Sequence, residues 1–207
     1  MIGVNFYKGS LFTIFSLLII NSCKNDSLLF KEDFRANTHH WDTLSSEAIQ
    51  TKIENGHLLM HGKLKNVINY SLLFIPVSNR NIIYSTSIQV NDFYAPDGLA
   101  GIILYADDHK YPENYLLFGI NAENEVLISY ESKKKDMSKI YYKQKTQKYK
   151  KKEKNSFSIV TDKSSIQFLL NDKVLTTISK NKELGSYFGY LVINSNISVS
   201  YLQVKNR

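Results

Sequence analysis

The sequence predicts an all-β protein, two antiparallel sheets stacked as a sandwich, and three observations carry that prediction. From residue 48 onward the chain is a train of short segments rich in Ile, Val, Tyr and Phe, separated by Asn, Asp, Gly and Lys. Apolar residues in these segments recur with period two, the repeat of a strand with one buried face, and almost none recur with period 3.6. Asn55-Gly56 stands between two such segments, and this pair suits the type I′ turn of a two-residue hairpin. The three prolines, Pro76, Pro96 and Pro112, all fall between proposed strands, where a residue with no N–H to give a ladder belongs.

The amino terminus is of another kind. Residues 11–20, LFTIFSLLII, form an apolar run behind Lys8. Crossing a bilayer takes roughly 20 apolar residues, so this run is too short to span and has the length of a signal-peptide core. Residues 1–22 are therefore expected to be a signal peptide outside the fold. Ile20-Asn21-Ser22-Cys23 resembles the lipobox of bacterial lipoproteins, with Asn21 the unusual position. In that family the cysteine becomes the mature amino terminus and carries a diacylglyceryl thioether. Cys23 is the single cysteine of the chain, so it closes no internal disulfide, and two or more acyl chains make a stable anchor. An ordinary secretory signal is the alternative. Residues 24–26, KND, resemble a Lys-then-acidic signal that sends lipoproteins to the cell surface in some Gram-negative bacteria, with Asn25 interrupting it. The expectation is a bacterial cell-envelope protein, lipid-anchored to the outer membrane through Cys23 and surface-exposed. Residues 23–29 are expected to be a short linker and 30–207 a single domain.

Along that domain the strands read as 48–54, 57–61, 67–75, 82–90, 99–105, 115–120 and 126–131. A weaker stretch at 140–142 follows, then 156–161, 166–170, 174–179, 187–193 and 197–204. A dozen short strands in regular succession suit a sandwich. No internal repeat and no break in composition marks a second domain.

Five stretches, in order, resemble the concanavalin A-like lectin/glucanase jelly rolls, including laminin-G-like and keto-disaccharide-hydrolase-like modules. FKEDFRANTHHWDT at 30–43 is similar to their opening acidic-aromatic and Trp motif. IENGHLLMHG at 53–62 resembles their Asn-Gly hairpin. GLAGIILYADDHKYPENYLLFGINAENEVLISY at 98–130 resembles their central strand–loop–strand. NSFSIVTDKSSIQFLLNDKVL at 155–175 resembles a later hairpin, with Asp172-Lys173 in place of Asn-Gly. LGSYFGYLVIN with ISVSYLQV resembles the close, with Tyr201-Leu202-Gln203 in place of aromatic-Asp-Asn. The resemblance implies a jelly roll with one concave sheet, and sugar in the concave groove or at its loops.

The residues offer little chemistry beyond binding. Hydrolases of the resembled superfamily carry Glu-x-Asp-x-Glu on one strand, which turns all three carboxylates to one face. The nearest run here is Glu123-Asn124-Glu125, which lacks the Asp and falls in an expected turn. His57 and His61 lie four residues apart on an expected strand, about 13 Å, too wide for one zinc ion. No nucleophile elbow, Walker loop or dinucleotide fingerprint occurs. No catalytic residue is assigned and no cofactor is expected. Asp107-Asp108 with Glu113 and Asn114, or Glu32 with Asp33, offer hard oxygens for a structural calcium, against plain turn residues. Among Tyr84, Tyr105, Tyr111, Tyr115 and Tyr130, rings with polar edges that suit a sugar face, the candidate ligand-binding set is Tyr105, Asp107, Asn114 and Tyr115.

Charge is local. Without residues 1–22 the balance is +6, yet residues 131–154 alone carry eleven lysines against three acidic residues. This segment contains no arginine, the residue of bidentate anion recognition. It reads first as a lysine-guarded strand edge, then as a contact for anionic glycan, and nucleic acid is not expected. The leading function is a non-catalytic carbohydrate-binding module, with the membrane and a glycan or another envelope protein as partners. A docking protein without a small ligand and a divergent glycoside or keto-sugar hydrolase are the alternatives.

Overall fold

The computed structural model describes residues 27–64, 67–75, 81–180 and 185–207. Cys23, the 1–22 segment, residues 24–26 and Pro76 lie outside the described residues. Among the described residues fifteen strands follow in order: β1 (Leu28–Glu32), β2 (Leu44–Ser45), β3 (Ile49–Glu54), β4 (His57–Gly62), β5 (Asn69–Phe74), β6 (Ile82–Phe93), β7 (Leu99–Ala106) and β8 (Asn114–Asn121). The remainder are β9 (Glu125–Ser132), β10 (Met137–Lys145), β11 (Lys154–Thr161), β12 (Ser165–Leu170), β13 (Lys173–Ser179), β14 (Tyr187–Ile193) and β15 (Ser195–Asn206). All pairings are antiparallel, as expected. The first sheet runs β13-β12-β11-β6-β15-β4-β3-β2, with β1 beside the second half of β15, and the other runs β10-β9-β8-β7-β14-β5.

Local chemistry sets the joints. Glu54 pairs with His57 across Asn55 (φ 52°) and Gly56 (φ 72°), the two left-handed residues of a type I′ turn. At β12–β13 Leu170 pairs with Lys173, and the left-handed pair is Asn171-Asp172 (φ 49° and 63°). The turn pair is therefore Asn171-Asp172, one residue earlier than the Asp172-Lys173 the motif suggested.

β1 and β2 have no counterpart in the strands read from sequence, and β1 begins inside the stretch read as linker. β1 exists because β15 is twelve residues long: its first half pairs β4 and its second half needs another neighbour. β10 runs nine residues where only 140–142 stood out, because alternate lysines face water along an outer strand of its sheet.

Between the sheets lies a continuous core. Phe118 of one sheet meets Phe157 and Phe168 of the other with ring centroids 4.9 and 5.4 Å apart. The 33–43 segment plugs one part of it. Buried Glu32 accepts hydrogen bonds from the Phe34 N–H (2.8 Å) and the Trp41 indole N–H (3.0 Å), and its Oε2 lies 2.7 Å from Nδ1 of His39. Asn37 clamps Trp41 by its N–H and its carbonyl, and the Trp41 ring packs on Phe34 and Tyr190. Glu32 is thus a structural hub, each oxygen already bonded.

Removing that carboxylate orphans buried donors, each costing about 1–3 kcal/mol. Glu32→Ala is expected to lower stability by about 3 kcal/mol, read as a lower urea midpoint, and Glu32→Gln, which keeps one acceptor, by roughly half as much.

Candidate functional site

The two outer faces of the sandwich differ. An antiparallel sheet with one wet face alternates apolar-in with polar-out, and the nine-stranded sheet obeys: Ser85, Ser87 and Gln89 of β6 and Ser156 and Ser158 of β11 face outward, with Ser85 and Ser158 in contact at 3.4 Å. The six-stranded sheet does not. Its outward residues Leu72, Ile103, Tyr115, Leu117 and Leu191 form a second apolar cluster, each no more than 5 % exposed.

Curvature explains how an outer face is buried. Tyr70 on β5 and Tyr115 on β8 are separated by three strand spacings, about 14 Å in a flat sheet, yet their rings lie 6.3 Å apart. Lys133, just past β9, reaches still farther, with its Nζ 3.3 Å from the Tyr70 hydroxyl and 5.6 Å from that ring. This sheet is a trough whose middle is filled by its own side chains and bridged by Tyr70, Tyr115 and Lys133. Glycine permits the bend: at the Gly101–Gly119 pair, a Cβ on Gly101 would stand 2.4 Å from both the Gly119 Cα and the Phe118 carbonyl oxygen.

At the β7–β8 end the trough opens into an exposed aromatic strip. Phe74 (53 % exposed) meets Tyr187 at 5.8 Å, edge-on, and His109 stacks on Tyr187 at 5.8 Å with a 30° tilt. Tyr111, in the same loop as His109, is 80 % exposed.

The four residues singled out from sequence are divided by this geometry. Asp107 and Asn114 come together: the Asp107 carboxylate accepts the Glu113 N–H (2.9 Å), the Asn114 N–H (3.1 Å) and the Asn114 side-chain amide (2.6 Å). Asn114 Oδ1 in turn accepts the hydroxyls of Tyr130 and Ser132. Tyr105 and Tyr115 are on opposite faces. Tyr105 has φ 55° and sits at a bulge that follows inward-facing Leu104 with a second inward side chain, so it joins the sandwich interior with Tyr84 and Tyr130. Tyr115 lies under the trough bridge, where burial, followed by the neighbouring Tyr70, pushes its hydroxyl pKa up.

Partial burial alone would raise the Asp107 pKa, but the hydrogen bonds from Asn114 and Glu113 outweigh it and hold the carboxyl below the ordinary range. Asp108 is held low first by the N–H groups of Tyr111 and Lys110. These bonds are those of a self-capped loop. Among the described residues no group of three or more His, Cys, Asp or Glu is placed to hold a metal ion. On β9, Glu125 receives the Asn121 amide and pairs with Lys143, while Glu131 receives Ser129 and Ser138.

Phe74, His109 and Tyr187 were missed in the sequence. The signal was present: YLLFG, AGIIL and YFGYLVI are apolar on both faces, which marks a sheet whose outer face is not simply solvated.

Comparison with solved structures fixes the class of fold. The carbohydrate-binding module CBM66 from Bacillus subtilis superposes with a TM-score of 0.58 at 14 % identity, covering 80 % of this chain and 95 % of the module. What the two share is the fold, an antiparallel two-sheet jelly-roll sandwich. An endo-acting O-glycanase of the human gut microbiota gives 0.61 at 10 % identity (87 % and 99 % covered), and the endo-β-1,3-glucanase from Pyrococcus furiosus 0.60 at 9 % (87 % and 94 %). No protein-family model and no curated protein matches this jelly roll.

Asp107 and Asp108 have depressed folded-state pKa values, so their contribution to stability is fully present above the unfolded value of about 3.9 and is lost as pH falls through the folded values. The urea midpoint is expected to fall as pH drops below about 4, and Asp107→Asn to make that fall shallower.

Proposed function

We propose that this chain is a lipid-anchored, non-catalytic carbohydrate-binding module of the bacterial cell envelope, and that it holds saccharide against Phe74, Tyr187 and His109. The observation that carries this reading is the exposed aromatic strip on a jelly-roll face whose mid-section is already filled. Exposed rings offer apolar faces to the C–H surface of a sugar, and the tyrosine and histidine edges supply hydrogen bonds to its hydroxyls. Tyr111 beside the strip and the loop locked by Asp107 and Asn114 give it a rigid rim. In this reading Asp107 and Asn114 position the loop, and Tyr115 supports the trough from below.

The non-catalytic part rests on spacing. Glycoside hydrolysis sets two carboxyl groups about 5–9.5 Å apart. Glu125 and Glu131 share the outward face of β9 six residues apart, about 20 Å along the strand. The middle of the trough holds Leu, Ile and Tyr side chains instead.

Anchoring rests on the sequence, with one supporting detail from the fold. β1 begins five residues after Cys23, a maximum reach of about 17 Å, and Leu28 and Leu29 at its start are both exposed. A domain tethered so closely sits against the bilayer.

On a glycan array the protein is expected to retain at least one saccharide. Phe74→Ala and Tyr187→Ala should each weaken it about tenfold, the scale of one stacking contact of about 1.5 kcal/mol, while Tyr115→Ala should lower the urea midpoint. An array with no retained glycan at about 100 µM protein, a concentration that half-fills a site worth about 5.5 kcal/mol of binding, would overturn the reading in favour of docking. Radiolabelled palmitate is expected to enter the wild-type chain in a lipoprotein-processing host and to be absent from Cys23→Ala.

A further inference from the structure

At the other end of β7 lies a second concavity, about 420 Å³, which takes in the β6–β7 loop and the turn that follows β10. Its volume falls within the range of small-molecule sites. Phe93, Tyr94 and Tyr149 supply aromatic lining, Asn91 supplies an amide, and Lys151 and Lys152 bring two ammonium groups. Tyr94 is 38 % exposed and has the Lys63 ammonium 5.3 Å from its ring centre. The Asn91 amide is oriented by Asn196, 3.3 Å away.

The backbone of the turn that carries the lysines is held in place. Asn155, fully buried, accepts the Lys150 N–H (2.8 Å) and donates to the carbonyls of Lys150 (2.8 Å) and Glu153 (2.9 Å). Asn171 braces the same turn by donating to Asn155 (3.0 Å) and to the Lys148 carbonyl. Lys152 adopts φ 58°, a left-handed conformation that costs a lysine about 1–2 kcal/mol and persists only where the surroundings impose it. Among the described residues neither the Lys151 nor the Lys152 side chain makes an ion pair or hydrogen bond. A solvated strand edge needs no such clamp. Two lysines free of protein partners, carried on a braced turn beside aromatic lining, suit an anion joined to a flat apolar body.

We propose that this pocket binds an acidic sugar residue, one carrying a carboxylate or a sulfate, with Lys151 and Lys152 on the anionic group and Tyr94 against the ring. The exposed Asp92 carboxylate at the rim offsets one charge, and with the Lys63 ammonium beside Tyr94 the three lysines still outnumber it, which suits an acidic sugar residue over a neutral one. The inference takes its ligand class from the carbohydrate reading, and it uses none of the residues of the aromatic strip.

Affinity electrophoresis of the full chain in mild detergent tests it, in gels containing polygalacturonate, dextran sulfate or neutral dextran. Retardation by polygalacturonate identifies the carboxylate as ligand, by dextran sulfate, which carries sulfate and no carboxylate, the sulfate, and neutral dextran gives none through this pocket. Lys151→Gln/Lys152→Gln is expected to weaken the acidic interaction about tenfold. Tyr94→Ala should weaken it severalfold, and Lys134→Gln/Lys139→Gln, elsewhere in the lysine-rich segment, should leave it unchanged. No retardation by either acidic polymer overturns the proposal, as does equal weakening by both lysine pairs, which would mean diffuse polycation binding. Phe74→Ala/Tyr187→Ala should leave acidic retardation intact. Loss of glycan-array binding in that variant alone therefore reports on the strip, and loss of acidic retardation in the lysine pair alone reports on this pocket.

Discussion

The fold is closed by its last twenty residues. β14 runs between β7 and β5 in one sheet, the chain then turns at Asn194, and β15 runs between β6 and the pair β4 and β1 in the other. That crossing holds the two layers in register, and it is tightly specified. Asn194 is buried with φ 44°, a conformation asparagine tolerates better than most residues. Its carbonyl accepts the Tyr94 N–H at 2.7 Å, its amide donates to Asp97 at 2.8 Å, and the next residue, Ser195, donates to the Leu99 carbonyl at 2.8 Å. Every strand of the first sheet is referred, directly or through a neighbour, to β15. The first and last of the described strands pair with each other, so the fold depends on contacts of very long sequence separation, the kind that close slowly.

Given that frame, the curvature of the six-stranded sheet decides which surfaces are available to a ligand. Glycines at 101 and 119 let β7 and β8 approach where side chains would collide. The resulting trough is deep enough for Tyr70, Tyr115 and Lys133 to meet over it. A groove filled with its own leucines and isoleucines cannot accept a polysaccharide along its length. In the carbohydrate reading proposed above, recognition falls to the ends, where strands run out and loops present rings and charges: the Phe74–Tyr187–His109 strip at one end, the Lys151–Lys152 pocket at the other.

Several polar residues that look like chemistry in the sequence turn out to be fasteners. Glu32 gathers the donors of the plug segment, Asp107 and Asn114 lock a hairpin loop, and Asn155 with Asn171 grips the lysine turn. Each is a short side chain whose oxygens satisfy backbone or ring N–H groups that would otherwise lack a partner. The same types and spacings would serve a calcium loop or a sugar hydroxyl, and only the identity of the bonded atoms separates the cases.

The fold was largely legible. Thirteen of the strands overlap segments read from sequence, most through period-two patterning, β7, β8 and β14 through unbroken apolar runs and β10 only in part, because a residue facing a core must be apolar whatever it touches, and the 55–56 turn follows from the left-handed tolerance of Asn and Gly. β1 and β2 were not legible, since their residues are mostly exposed and the strands exist only to satisfy partners far along the chain. The candidate site was legible only in part: Asp107 and Asn114 do meet, whereas Tyr105 and Tyr115 part to opposite faces at a bulge that no periodicity announces. Phe74, His109 and Tyr187 come from three distant segments. Sequence alone determined which residues lie in strands and which of them face a core, because burial acts on each residue separately. The bend of a sheet, the filling of its groove and the gathering of rings and lysines at its two ends were decided by tertiary structure, because they are relations between strands that no local pattern encodes.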